Sequence, residues 1–201
     1  MKKNVLSIIF IVLGIISLYA QDNRFSFNLE MGSFYGLKDK SDYWDYTRDD
    51  LDLGGASLHF TAYYNISDRM SAGLGIGLDK YTNFDFNTCP VYASFRYEPL
   101  ENAQNLAVFA DLGYGLKGGD ADFAKGAMSD IGASYTWHFC KKMGLVLKLG
   151  YNLKFAKTQE KFDMEEYMKD ESSHYFPNSF VQYSYFDHTR QSLFLGAGLE
   201  F

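Results

Sequence analysis

The closing segment of the chain, residues 193–201, alternates strictly between two kinds of side chain. In an extended strand successive side chains point to opposite faces. One face would carry five apolar residues: Leu193, Leu195, Ala197, Leu199 and Phe201. The other face would carry Phe194, two glycines and Glu200. The apolar face of such a strand can pack on a protein core or face lipid. The sequence of the other segments is needed to distinguish these two environments.

The same alternation recurs along the chain and predicts eight strands. It is plainest at residues 70–79, where apolar residues alternate with serine, glycines and Asp79. The predicted strands cover residues 24–36, 55–66, 70–79, 89–98, 105–117, 127–139, 144–156 and 190–201. Each is long enough to cross a bilayer at a tilt, which takes about 9–11 residues. No run of 18 apolar residues follows residue 23, so the sequence predicts no membrane-spanning helix.

The predicted connections alternate between short and long. Short turns join strands two and three, four and five, and six and seven, whereas residues 37–54, 80–88, 118–126 and 157–189 form longer connections. Up-and-down strands place alternate connections at opposite ends of a barrel, and outer-membrane barrels have short periplasmic turns and long outer loops. We therefore expect an all-β fold, a closed antiparallel up-and-down transmembrane β-barrel of eight strands.

Aromatic residues cluster at both ends of the predicted apolar face. Amphipathic rings prefer the two membrane interfaces, so this arrangement predicts two aromatic girdles. The girdle at the short-turn side comprises Tyr64, Tyr97, Trp137, Phe139 and Phe201, and the opposite girdle comprises Tyr35, Tyr114 and Phe155. A secreted lipocalin-like binding barrel is the alternative, but its apolar face would point inward and nothing would collect aromatics at both rims.

The N-terminus has the pattern of a secretory signal peptide. Two lysines precede an apolar run from Val5 to Tyr19, and Ala20 then precedes a polar start. We expect residues 1–20 to be the signal peptide and residues 21–201 to be one barrel domain; an uncleaved anchor is the alternative. The net charge of −6 argues against a nucleic-acid partner.

With its signal peptide, eight alternating strands and terminal Phe201, the chain resembles the small outer-membrane β-barrel proteins of Gram-negative bacteria, the OmpA/OmpX-like barrels. The resemblance covers residues 21–201 and rests on architecture and the closing strand. It implies an integral outer-membrane protein in contact with outer-membrane lipids. It also implies insertion by the barrel-assembly machinery, which would read Leu193, Leu195, Leu199 and Phe201.

The inward face of the predicted barrel carries charges of both signs. They are Glu30, Arg96, Asp111, Asp130, Lys148, Lys154 and Glu200, with Glu30, Arg96, Asp111 and Lys148 expected nearest the middle. An eight-stranded barrel is just wide enough for its own side chains to fill it. We therefore expect a plug of ion pairs and hydrogen bonds, and a narrow ion-conducting channel or porin is the alternative. No cofactor or metal site is predicted.

The two longest predicted loops, 38–53 and 157–190, interleave aromatic and acidic residues. Tyr43, Trp44 and Tyr46 lie in the first loop, and Tyr175 and Phe176 lie in the second. Rigid rings offer contact area at low entropic cost, so these loops could bind an extracellular protein or glycan. Alternatively, the strands continue above the bilayer and the rings pack on each other.

No spacing in the chain predicts a catalytic constellation. A lipid-modifying hydrolase could use His174 or His188 from the last loop, but histidines among loop acids are usually solvated. We therefore expect a protein that is not an enzyme. Cys89 and Cys140 fall at opposite ends of the predicted membrane band, which is about 25 Å tall. Because bridged Cα atoms lie within about 7 Å, we expect no disulfide between them.

Overall fold

A computed structural model describes residues 24–41, 45–82, 87–100, 105–116, 124–140, 143–163 and 181–201. The proposed signal peptide, residues 1–20, therefore lies outside the described residues. Nine strands are described: β1 (Phe25–Ser41), β2 (Asp45–Thr47), β3 (Gly54–Ser67), β4 (Met70–Tyr81), β5 (Asn87–Tyr97), β6 (Leu106–Leu116), β7 (Gly126–Cys140), β8 (Met143–Asp163) and β9 (Val181–Glu200). No helix in the described part of the chain is long and apolar enough to cross a membrane.

Eight of these strands form a closed antiparallel barrel, as predicted. The order around the barrel is β1, β3, β4, β5, β6, β7, β8 and β9, and β9 pairs back onto β1. The closing ladder runs from Asn28 opposite Glu200 to Ser41 opposite His188. Backbone hydrogen bonds between Phe27 and Phe201 extend it by one more pair. Closure leaves the barrel strands without an unpaired edge, which is what a sheet needs in lipid.

The connections divide the barrel into two unlike ends. The short-turn end contains the connections at 68–69, 98–105 and 141–142. The first residues of β1 and the last residues of β9 lie there too, since Phe25 pairs with Tyr64 and Phe27 bonds to Phe201. The long-loop end contains the connections that include residues 42–53, 82–86, 117–125 and 164–180. This alternation matches the predicted arrangement of short and long connections.

Three strands continue beyond their predicted ends at the long-loop end. β1 runs to Ser41 rather than to residue 36, and β2 pairs with its final residues. β8 and β9 stay paired from Ala156 opposite His188 out to Asp163 opposite Val181. The prediction that 157–189 is a loop was therefore wrong for 157–163 and 181–189. Above the apolar band neither face needs to be apolar, so the alternation that marks a strand fades while its backbone ladder continues.

The distribution of side chains is the reverse of that in a water-soluble protein. Leu74, Ile131 and Leu195 on the outer surface are 72%, 62% and 64% exposed, whereas Lys148 and Arg190 in the lumen are 3% and 0% exposed. Large exposed apolar surfaces mark interaction or membrane sites. Cys89 and Cys140 are both unpaired, near the long-loop end of β5 and at the short-turn end of β7.

Closure can be tested by linking β1 to β9. In a background with Cys89→Ser and Cys140→Ser, we expect Leu29→Cys with Leu199→Cys to form a disulfide on oxidation. These residues are directly paired, and paired Cα atoms at about 5.5 Å fall within disulfide range. The oxidised, boiled protein should migrate differently from the reduced form on a denaturing gel.

The control replaces Leu29 and Leu74 by cysteine in the same background. Leu74 lies on β4, which does not pair with β1, so no intramolecular bridge should form. Two free thiols in the oxidised, folded Leu29/Leu199 pair would contradict the closed ladder.

Candidate functional site

Polar and charged side chains from every barrel strand converge in the lumen. In the described part of the chain, six carboxylates point into it: Glu30, Asp39, Asp79, Asp111, Asp130 and Glu200. They meet four basic side chains, Arg96, Lys148, Lys154 and Arg190, and two buried histidines, His59 and His188. A buried charge is tolerated when it is paired and hydrogen-bonded, so the lumen is organised as a series of ion pairs along the barrel axis.

Lys148 occupies the middle of the lumen. Its Nζ atom lies 2.9 Å from Glu30 Oε2 and 3.9 Å from Asp111 Oδ2. The same ammonium lies 4.6 Å from the centroid of the Phe109 ring, and Ser94 Oγ donates a hydrogen bond to Asp111. One cation is thus shared by two carboxylates, from β1 and β6, and a ring covers part of its remaining surface.

Arg96 and Glu200 form a second pair at the short-turn end of the lumen. The sequence had predicted Arg96 nearer the middle. Arg96 Nη1 lies 2.5 Å from Glu200 Oε2. The guanidinium lies over the Tyr63 ring at 4.3 Å, and Tyr63 Oη is 2.9 Å from Ser94 Oγ. This pair and the Lys148 group are therefore linked through Tyr63 and Ser94.

Asp79 anchors a third group that the predicted polar cluster omitted. It accepts hydrogen bonds from Lys154 Nζ and from Thr88 Oγ1, the latter at 3.1 Å, and lies 2.8 Å from His59 Nε2. Asp130, also predicted, accepts a hydrogen bond from Asn152. Asp79 shares its strand face with the glycines of β4, so its position in the alternation already indicated a lumen-facing carboxylate.

A fourth group at the long-loop end depends on a β-bulge in β1. The register shifts between Gly36 and Lys38, so the inward positions change from even to odd numbers. Asp39 consequently faces the lumen, while Lys40 is exposed. Asp39 Oδ1 lies 3.2 Å from His188 Nδ1, and Asp39 Oδ2 lies 3.6 Å from Arg190 Nη1. The interpretation of His188 as a solvated loop histidine was wrong, since it lies buried in β9.

Arg190 also links β9 to the start of β3 at the long-loop end of the barrel. Its Nη2 donates a hydrogen bond to the Gly54 carbonyl at 3.0 Å, and its guanidinium lies 4.6 Å from the Tyr81 ring centroid. Leu53 next to it is fully buried, and its carbonyl accepts a hydrogen bond from Gly36 N at 2.7 Å. Residues 53–54 are therefore bonded both to β1 and to Arg190 at the long-loop end.

Aromatic rings fill the space between these charged groups. Phe34 lies 5.3 Å from Tyr81 and 5.4 Å from Phe194, measured between ring centroids. A Cβ added at Gly75 would lie 2.6 Å from Tyr92 Oη, and one added at Gly77 would lie 2.7 Å from His59 Nε2. The glycines of β4 are required because large rings on neighbouring strands occupy the space over them.

The outer surface carries the residues expected at the girdles and in the assembly signal. Seven of the girdle residues are exposed: Tyr35, Tyr64, Tyr97, Tyr114, Trp137, Phe139 and Phe155. Phe201 is half-buried and stacks with Phe27 at a centroid distance of 6.1 Å. Leu193, Leu195 and Leu199 face outward on β9. All of these residues lie on the apolar exterior, opposite the charged lumen.

Of the five loop residues predicted as a possible binding site, one lies within the described residues. Tyr46 lies in β2 and is exposed, whereas Tyr43, Trp44, Tyr175 and Phe176 lie outside the described residues. Near Tyr46, Lys38 Nζ lies 2.8 Å from Asp45 Oδ2, and the Arg48 guanidinium lies 3.5 Å from the Tyr35 ring centroid. Among the residues that the structure covers, no group of three or more His, Cys, Asp or Glu could hold a metal ion.

No protein-family model matches the chain, and no curated protein matches it. Assignment to the OmpA/OmpX-like barrels therefore stays a prediction. Among solved structures, the chain is similar to the outer membrane protein OprG from Pseudomonas aeruginosa, with 10% identity over 88% of this chain and 94% of that chain and a TM-score of 0.47. It is also similar to the KdgM porin, with 14% identity over 88% and 98% of the two chains and a TM-score of 0.32. A third similar structure is a de novo designed transmembrane β-barrel, with 11% identity over 85% and 94% and a TM-score of 0.36.

The pairing of Lys148 with two carboxylates leads to a stability prediction. Lys148→Met leaves Glu30 and Asp111 buried without their shared cation, so we expect a loss of roughly 3–5 kcal/mol in the free energy of unfolding. The measurement is urea unfolding of the refolded barrel in lipid vesicles. Adding Glu30→Gln to Lys148→Met should restore part of the loss, because one uncompensated charge is removed.

The matched control is Lys157→Met. Lys157 pairs with Asp187 at 3.0 Å, but both side chains are 57% exposed. Loss of this exposed pair should change the free energy of unfolding by no more than about 1 kcal/mol. Equal effects of the two lysine substitutions would contradict a role for the luminal ion pairs in holding the barrel together.

Proposed function

We propose that this protein is an integral outer-membrane barrel with a sealed lumen, which presents its long-loop end at the cell surface. The observation that supports this placement best is the reversal of polarity between its two faces. Leucines, isoleucines and aromatic rings cover the exterior, whereas ionised side chains are paired inside. Lipid makes such an exterior favourable, and closure of the sheet satisfies its backbone there.

The unequal lengths of the strands support the proposed orientation. β8 and β9 stay paired for six residue pairs beyond Lys157 opposite Asp187, and β1 and β2 form a second extension at the same end. Outer-membrane barrels have longer connections on the cell-surface side. We therefore assign the long-loop end to the exterior and the short-turn end to the periplasm.

The filled lumen supports a structural or surface-interaction role over transport. Four groups of ion pairs and several stacked rings lie along its length. In our proposal the segments 38–53 and 157–190 contact an extracellular protein or glycan, and the barrel contributes no catalytic residue. His188, the remaining described candidate for a hydrolase, is engaged by Asp39 inside the barrel.

Cysteine labelling of intact cells tests the orientation. In the Cys89→Ser, Cys140→Ser background, we expect Lys157→Cys to react with a membrane-impermeant maleimide, because Lys157 is exposed beyond the apolar band. Asp68→Cys, at the exposed β3–β4 turn, should react only after the outer membrane is permeabilised. Labelling of Asp68→Cys in intact cells without labelling of Lys157→Cys would reverse the proposed orientation.

Planar bilayer recording tests the sealed lumen. Folded wild-type protein should give no stable conductance steps, because charged pairs and rings occupy the cross-section of an eight-stranded barrel. A variant with Tyr92→Ala, Phe109→Ala and Phe194→Ala removes three luminal rings and should conduct if it keeps the gel mobility of a folded barrel. Reproducible steps from the wild-type protein would contradict a structural role and support a narrow channel.

A further inference from the structure

The short-turn end of the barrel opens into a cleft of about 570 Å³. Three arginines and three carboxylates line it: Arg24, Arg69, Arg96, Asp68, Glu98 and Glu200. Their formal charges balance, which distinguishes this cleft from a purely anion-attracting mouth. The Arg96–Glu200 pair belongs to this lining, whereas the pairs formed by Lys148 and Lys154 are absent from it.

Arg96 brings unused hydrogen-bonding capacity to this cleft. It is 6% exposed, and its Nη1 is occupied by Glu200. Its Nε and Nη2 atoms are buried and have no hydrogen-bond partner among the described residues. Stacking on Tyr63 covers one face of the guanidinium. A planar guanidinium with N–H groups still to be satisfied is suited to binding an oxyanion through charge-assisted hydrogen bonds.

The cleft also contains two carboxylates, Glu98 and Asp68, that form no ion pair with Arg96 in the described residues. Glu98 lies on the turn after β5, where its backbone N–H donates to the Arg69 carbonyl at 2.9 Å. Partial burial raises the pKa of the Glu98 carboxyl above its usual range. Asp68 is exposed on the neighbouring turn. A cation placed between these two carboxylates would be favoured, while an oxyanion would be favoured beside the arginines.

The rim of the cleft places it at the membrane surface. Tyr64, Ile66 and Met70 belong to its lining and are themselves exposed on the outer side of the barrel. The Arg24 guanidinium donates to Tyr64 Oη at 3.4 Å, which links the polar lining to the aromatic girdle. The cleft therefore extends from the lipid-facing wall into the lumen, as a site for a molecule with a polar head and apolar tails would.

We propose that this cleft binds the headgroup of a zwitterionic phospholipid that carries a phosphate and a primary ammonium, as in phosphatidylethanolamine. The phosphate lies against Arg96 and Arg69, and the ammonium lies against Glu98 and Asp68. A lipid as the source of the headgroup rests on the proposed membrane placement. Soluble phosphoethanolamine has the same two groups and would require no membrane.

Native mass spectrometry of the full-length protein, refolded in detergent with defined lipids, tests the proposal. Wild-type protein should retain phosphatidylethanolamine in preference to phosphatidylglycerol, which has the phosphate but no ammonium. Arg69→Gln and the double variant Arg96→Gln with Glu200→Gln should each weaken retention by at least about tenfold, as expected for the loss of charge-assisted hydrogen bonds. The double variant removes both members of the ion pair and so leaves no uncompensated charge.

Lys125→Gln provides the matched control, because it removes one exposed cation at the opposite end of the barrel. It should retain the lipid like wild type, and gel mobility should confirm that each variant is folded. Equal retention of the two lipids, or wild-type retention by both cleft variants, would overturn the proposal.

Addition of soluble phosphoethanolamine separates the two sources of the headgroup. If it displaces the lipid at equal concentration, the cleft recognises the same chemistry in a solute. If the protein is not a membrane barrel, soluble phosphoethanolamine binds in an arginine-dependent way while no lipid is retained. Failure of the proposed placement is thereby distinguished from failure of the site.

Discussion

The ladder that joins β9 back to β1 is the constraint on which the rest of the structure depends. A closed sheet of eight strands encloses a space that is only as wide as its own inward side chains. Every second residue of each strand must enter that space, while the others face outward. Because the outward residues of the apolar band are apolar, the charges that the strands carry within this band lie in the lumen, where they have to be paired or hydrogen-bonded.

Pairing alone does not fill the lumen, and the glycines explain how the remaining space is used. Gly75 is directly opposite Tyr92, and Gly77 is directly opposite His59. Each glycine lets the ring on the adjacent strand lie flat against the barrel wall, so rings alternate with ion pairs along the axis. The glycines of β4 are therefore part of the luminal packing, since the rings that lie over them need the space a Cβ would take.

The sequence was sufficient for the barrel strands but not for their outer extensions. Alternation identifies a strand only where its two faces meet different environments, and this holds within the apolar band. Beyond it β8 and β9 remain paired, although Lys157 and Asp187 are both exposed. The alternation pattern did not reveal the bulge in β1 either, yet this bulge is the reason that Asp39 rather than Lys40 faces the lumen. Some contacts that the prediction omitted could have been deduced from the sequence, because the short β3–β4 turn sets the register that brings His59 opposite Gly77.

The two ends of the barrel differ in the elements that position their charged side chains. At the long-loop end the bulge directs Asp39 toward Arg190, and Arg190 donates to the Gly54 carbonyl, so a local irregularity of β1 positions the start of β3. At the short-turn end the Arg96–Glu200 pair joins β5 to β9 and belongs to the lining of the cleft. The two ends of the described barrel therefore hold their charges by different means, a bulge within β1 at one end and an ion pair between β5 and β9 at the other.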